Sequence, residues 1–229
     1  MKKYIILTAI SVTAIALASF RFSSAGKLKL FPEIEKYYEG LPKTLSTDKY
    51  PEAFRDLTAC VRMGSTSDKK INLLFTCSDN SFKSQVSQII LQSLLSVNKF
   101  NKLIVSSCGS QPAEVNPILI KLLLKHGFQA NELSIAANGK KSYEIRFGDN
   151  MAPVIIYAKS SAEFSVPASD MFMASMCSDN AQCPQLKSAR FNDWLPYSDI
   201  DMAASEAEFD KEFTAIAADI VYVFNKALS

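Results

Sequence analysis

Leu73-Leu74-Phe75-Thr76-Cys77-Ser78-Asp79-Asn80-Ser81-Phe82-Lys83-Ser84-Gln85 changes its hydrophobic period part-way along. The residues from Ile71 to Thr76 are mostly apolar and read as a buried strand. Beyond the polar stretch, Val86, Ile89, Ile90, Leu94 and Val97 fall at helical intervals, which predicts a helix starting close to Ser84. The unit is therefore strand, short loop, helix. A cysteine at the end of such a strand faces backbone N–H groups and the positive end of a helix dipole. That setting favours the thiolate and binds a tetrahedral oxyanion in front of it. A structural βα turn with a half-buried cysteine has the same pattern, so the loop alone leaves both readings open.

The unit repeats outward from this stretch. Leu103 to Ser106 is a second strand, and Val115, Ile118, Leu119, Leu122 and Leu123 mark a helix stopped by Gly127. Met171 to Met176 reads as a third core strand and Arg190 to Leu195 as a weaker fourth. Phe209, Phe213, Ile216, Ile220 and Val223 give a long closing helix. The alternation predicts an α/β fold, a doubly wound sheet of about four parallel strands flanked by helices. Tyr143, Ile145 and Phe147 alternate with polar residues, then Gly148-Asp149-Asn150 turns the chain into Val154 to Tyr157, which predicts an inserted β-hairpin.

Upstream, Phe31 to Leu45 and Tyr50 to Met63 show helical spacing, and the polar stretch Gly64 to Asp68 is the best boundary. Residues 26–68 are thus expected as an N-terminal helical extension and 69–229 as the main domain. Lys2 and Lys3 precede an apolar run from Tyr4 to Ala18, which ends in the small-x-small site Ala16-Leu17-Ala18, and Ser23-Ser24-Ala25 offers a second. Residues 1–25 read as a cleaved secretory signal, which makes the expected location periplasmic or extracellular; the alternative is an uncleaved membrane anchor, for which the run is short against a span of about 20 residues. No later run is long enough for a membrane span.

Lys and Arg total 25 against 23 Asp and Glu, so nothing favours nucleic acid, and any anion binding has to be local. His126 is the only histidine, and it falls near a helix end, where a cation is favoured. A single histidine and no closely spaced cysteine pairs argue against a metal site, and no cofactor is expected. Of the five cysteines, an odd count for an exported chain, Cys60 falls in an apolar helical stretch and reads as core. Cys108 suits a turn that takes a small residue, and Trp194 reads as packing.

The loop C-S-D-N-S-F-K-S-Q resembles the C-T-x-N-S-x-R-S-Q loop of low-molecular-weight tyrosine phosphatases and thioredoxin-linked arsenate reductases. Ser106-Ser107-Cys108-Gly109 and Glu114-Val115-Asn116-Pro117 stand where that family has its second strand end and next helix. Met176-Cys177-Ser178-Asp179 with Cys183-Pro184 resembles the T-M-C-S…C-P segment of the reductase branch, and Tyr197-Ser198-Asp199 its Y-x-D-P. The likeness runs from about Lys69 to Phe224. It implies Cys77 as nucleophile on phosphorus or arsenic, with Ser78, Asp79, Asn80, Ser81 and Phe82 forming the oxyanion loop. It further implies Asn80 as the residue that shapes the loop, Ser84 as a hydrogen-bond donor to the thiolate, and Asp199 as general acid. Cys177 and Cys183 match the redox pair that relays oxidation away from the nucleophile. The implied partners are a phosphorylated protein or a small oxyanion, together with a thiol reductant.

The departures bear on activity. Lys83 replaces the family's arginine, and lysine lacks the planar two-pronged donor that grips two oxyanion oxygens. Loss of such a donor costs about 3 kcal/mol of transition-state stabilisation. Asp79 adds negative charge to a loop built for anions, so it should raise the Cys77 pKa and weaken oxyanion binding. Ile200 stands in place of the proline after the acid, Phe82 fills a position that is often small or basic, and the two redox cysteines are six apart rather than seven. The expectation is a weakened enzyme of this type, against a degenerate member that binds an oxyanion or a partner without turnover, and a third reading of thiol redox by Cys177 and Cys183 alone.

Overall fold

A computed structural model of the chain describes residues 28–46, 51–135, 138–164, 171–184, 189, 191–195, 197–201 and 203–229. The expected leader, residues 1–25, lies outside the described residues. No helix among those described is long and apolar enough to cross a membrane.

The central sheet is parallel, in the order β2-β1-β6-β7, with β1 Ile71–Cys77, β2 Leu103–Gly109, β6 Met171–Ser175 and β7 Phe191–Trp194. Strand β1 is paired on both sides: Ile71 to Cys77 face Leu103 to Gly109, and Asn72 to Thr76 face Met171 to Ser175. Burial on both faces explains why it is a nearly unbroken apolar run rather than an alternating one. The chain leaves β1 toward β2 and later returns to the opposite side of β1. Cys77 thus ends the strand at which the winding direction reverses, the place where open α/β sheets bind ligands.

Helices α1 Pro32–Gly40, α2 Pro51–Thr66, α3 Lys83–Val97, α4 Pro117–Lys125 and α5 Glu206–Leu228 surround this sheet. Helix α3 follows the loop of Cys77 directly, and α5 packs against both α3 and α2. Helix α5 begins with a capping box, in which the Ser205 hydroxyl accepts from the Glu208 amide while the Glu208 carboxylate accepts from the Ser205 amide. The N-terminal helices share the main core, since Ile34, Tyr38, Phe54, Leu57 and Val61 are buried with Phe75, Ile89 and Phe213 in one cluster.

The largest departures from the sequence pattern are the ends of two helices and an added strand. Helix α1 stops at Gly40, five residues before the expected Leu45, where Leu41 turns extended ahead of Pro42. Helix α2 instead runs past Met63 to Thr66, taking in part of the expected breaker. Gly64 permits this because a Cβ there would sit 2.6 Å from the Leu103 side chain. The inserted hairpin of β4 Tyr143–Arg146 and β5 Val154–Ile156 gains a third antiparallel strand, β3 Gln129–Glu132, paired along all four residues with β4. Strand β3 is mostly exposed, so backbone pairing holds it and no apolar alternation marks it. Gly127 ends α4 at φ +92, and a Cβ there would lie 2.4 Å from the Glu33 side chain.

Candidate active site

The loop after β1 is held from outside. The Ser78 carbonyl accepts from the Gln111 amide at 2.8 Å, that of Asp79 from Ala113 at 2.9 Å, and that of Ser81 from Asn116 at 3.1 Å. The Asn80 carbonyl accepts from Gln85 Nε2 at 2.6 Å. In a trans peptide the N–H points opposite to the carbonyl of the preceding residue. Fixing the carbonyls of residues 78–81 outward therefore turns the amides of 79–82 inward. Gly109 makes this close approach possible, because a Cβ there would meet Asn80 N and the Ser78 carbonyl at 2.8 Å each.

Asn80 shapes the turn. Its backbone is left-handed, at φ +52, which asparagine tolerates better than most residues. Its side-chain oxygen accepts from the Lys159 amide at 2.8 Å, so Nδ2 faces Ser84 and donates to its hydroxyl at 2.8 Å. With that acceptor position filled, the Ser84 hydroxyl proton is free to point at Cys77 Sγ, 3.0 Å away. The Asn80 amide donates to the same sulfur at 3.2 Å. Cys77 is only 1 % exposed, yet its sulfur faces donors rather than hydrocarbon.

Asp79 opposes them. Its Oδ1 accepts from the Ser81 amide at 3.0 Å and from the Cys77 thiol at 3.6 Å, and its Oδ2 accepts from the Ser81 hydroxyl at 2.6 Å. Burial and then the Asp79 charge push the Cys77 thiol above its ordinary range, while Ser84 and the Lys83 charge pull the other way and lose. The direction expected from sequence is the one seen here. Phe82, also in this loop, packs edge to face on Phe209 of α5 with ring centres 5.1 Å apart.

Lys83 points its ammonium at the chain segment after β7. Nζ donates to Asp199 Oδ1 at 2.7 Å and to the carbonyls of Tyr197 and Ser198 at 3.3 Å each. The other Asp199 oxygen accepts a short hydrogen bond from the Ser178 hydroxyl. Burial alone would raise this carboxyl; the bonds from Lys83 and Ser178 outweigh it and hold Asp199 below the usual carboxylate range. In this arrangement Asp199 is the counter-ion of Lys83. Tyr197 is anchored separately, its hydroxyl donating to the buried Asp219 at 2.6 Å. A small open cleft of about 140 Å³ lies between the two sides, lined by Asp79, Lys83, Asn116, Asp199, Ile200 and Phe209. Two larger clefts border α1, far in sequence from these groups.

Cys177 and Cys183 are joined by a disulfide and form one buried cluster with Cys77. The loop after β6 that carries them is tied to the Cys77 loop by Ser110, whose hydroxyl contacts both the Ser78 and Gln182 carbonyls. Trp194 contributes an indole N–H to the Cys177 carbonyl at 2.8 Å. No group of His, Cys, Asp and Glu suited to a metal ion is found among the described residues. The other thiols, Cys60 and Cys108, are buried. His126 caps α4; its ring lies 2.7 Å from Asp210 and stacks on Tyr37.

The chain is similar to solved phosphatases and arsenate reductases. A low-molecular-weight phosphotyrosine phosphatase from Vibrio cholerae O395 superposes with a TM-score of 0.48 at 14 % identity, covering 68 % of this chain and 95 % of its own. An arsenate reductase in the phosphate-binding state gives 0.46 at 18 % identity, with 68 % and 98 % covered. The thioredoxin-dependent arsenate reductase of Corynebacterium glutamicum gives 0.37 at 16 % identity, with 80 % and 79 % covered. No protein-family model and no curated protein matches the sequence.

Sequence reasoning missed four contributors. Lys159 acts through its backbone amide, for which no side-chain signal exists. Gly109 and Ser178 lie inside quoted motifs and Ser110 beside one, but their roles depend on chain segments that meet only in the fold.

Proposed function

We propose that Cys77 carries out thiol chemistry on a small tetrahedral oxyanion, of the reductase rather than the hydrolase type, with arsenate as the substrate class. The observation that carries this reading is the burial of Cys77 in one cluster with the Cys177–Cys183 disulfide. A hydrolase passes through a cysteine ester and water and leaves such a pair idle. Reduction uses all three sulfurs, as the family resemblance implies. Cys77 loses its thiol proton and its sulfur displaces an arsenate hydroxyl, which takes up one proton and leaves as water, so that the protons balance. The Cys177 thiolate then attacks the Cys77 sulfur, and the S–As electron pair passes to arsenic, releasing arsenite. Cys183 attacks Cys177, restoring the Cys77 thiolate and closing the observed disulfide. An external dithiol reopens it.

Lys83 supports a second reading, binding without turnover. Its ammonium is engaged by Asp199, and it cannot bind two oxyanion oxygens as a guanidinium does. Steady-state assays separate the readings. Arsenate-dependent consumption of a dithiol, abolished in Cys77→Ser and in Cys183→Ser, supports reduction. Hydrolysis of an aryl phosphate that survives Cys183→Ser would replace it with a phosphatase. Absence of both reactions in the parent, with either one appearing in Lys83→Arg, would favour the binding protein.

A further inference from the structure

We propose that the Asp79 carboxylate is a resident competitor for the oxyanion cradle, so that an external oxyanion enters only in exchange for this side chain. The inference deepens the reading of the Cys77 loop as an oxyanion site and rests on it. Asp79 is not merely a nearby charge. One oxygen takes the Ser81 amide at 3.0 Å, an amide turned inward by the outward fixing of the Asn80 carbonyl, and also reaches the Cys77 thiol at 3.6 Å. The other takes the Ser81 hydroxyl at 2.6 Å. A carboxylate and a phosphate or arsenate oxygen are the same kind of acceptor, and each needs these donors and this place beside the sulfur. Two negative groups sharing them repel. The resting chain is therefore latent.

Displacement requires only side-chain rotation. The Asp79 carbonyl stays on the Ala113 amide at 2.9 Å, and the turn stays locked by Asn80 and Gly109, so the backbone need not move. Asp79 is partly exposed and lines the open cleft, which gives the rotated carboxylate a path to water. Lys83 lines the same cleft. Burial first, and then the Asp79 charge, raise the Cys77 thiol, and the same carboxylate accepts the thiol proton at 3.6 Å.

The test is binding of inorganic phosphate to the reduced full chain, compared with Asp79→Ala and Asp79→Asn, followed by calorimetry. Alanine should lower the phosphate Kd at least tenfold. Asparagine, whose side-chain carbonyl still accepts from Ser81, should give a smaller gain in the same direction, and it serves if the alanine chain does not fold. Alkylation of Cys77, located by peptide mass mapping, adds a charge-sensitive readout. Asp79→Ala should speed reaction with the anionic iodoacetate severalfold more than with neutral iodoacetamide. Equal or weaker phosphate binding in both variants, or no binding in any chain, overturns the proposal. A tighter Kd in the variants without arsenate reduction in any chain upholds the competitor and removes the reductase reading.

Discussion

On one side of the cleft, the turn from Cys77 to Phe82 is fixed by donors from the 111–116 segment, from α3 and from the Lys159 backbone. On the other, Asp199 is half exposed and is held by one ammonium and one hydroxyl. The first wall depends on backbone geometry and close contact, which tolerate almost no substitution. The second depends on an ion pair between the buried Lys83 ammonium and a half-exposed Asp199 carboxylate, which solvent screens from one side. The difference teaches how the proposed oxyanion site is held. Its loop amides turn inward beside the Cys77 sulfur, while the Lys83 ammonium is engaged by Asp199 and the Asp79 carboxylate takes the Ser81 donors.

Experiments can break this contrast in order of effect. Cys77→Ser should remove all arsenate-dependent dithiol consumption, whereas a residual rate would locate the chemistry elsewhere. Gly109→Ala should destabilise the chain by about 1–3 kcal/mol, because the new methyl group meets backbone rather than a movable side chain. A lower urea midpoint with an unchanged slope would show it. Lys83→Met should cost under about 1 kcal/mol in the same measurement, since Asp199 is half exposed and keeps the Ser178 hydroxyl. A loss as large as that of Gly109→Ala would erase the distinction between the walls.

The charge pair also carries a pH signature. Asp199 has a lower pKa folded than unfolded, so its contribution to stability is present above the ordinary carboxylate range and fades as pH falls through the folded value. Thermal unfolding of the parent from neutral pH into acid should show that limb, and Lys83→Met should flatten it. The smallest expected change is in thiol reactivity. Cys77 should alkylate with an inflection above the ordinary thiol value of about 8.5, and Ser84→Ala should move it higher still, since Ser84 favours the thiolate. An inflection below that value would contradict the balance of charges around the sulfur.

Much of this was legible in the residues. The switch from an apolar run to helical spacing around Cys77 located both the strand and the start of α3, since double-sided burial and a packed helix leave different periods. The sign of the Asp79 effect followed from its charge, but its entry into the cradle depends on loop carbonyls fixed by the Gln85 side chain and by amides some thirty positions later. The partner of Lys83 was hidden because a long flexible side chain chooses among charges that only the fold assembles. Strand β3 was invisible for a different reason: Gln129, Asn131 and Glu132 are exposed, so burial wrote no pattern there. The pairing of Cys177 with Cys183 came from resemblance, since spacing among five cysteines does not choose it.

The most direct measurement is one turnover of the fully reduced Cys183→Ser chain with arsenate, quenched in acid and mapped by peptide mass. Without the third sulfur the relay should stop halfway, giving one arsenite and one Cys77–Cys177 disulfide per chain. Recovery of intact arsenate with both thiols still free would contradict a reductase centred on Cys77.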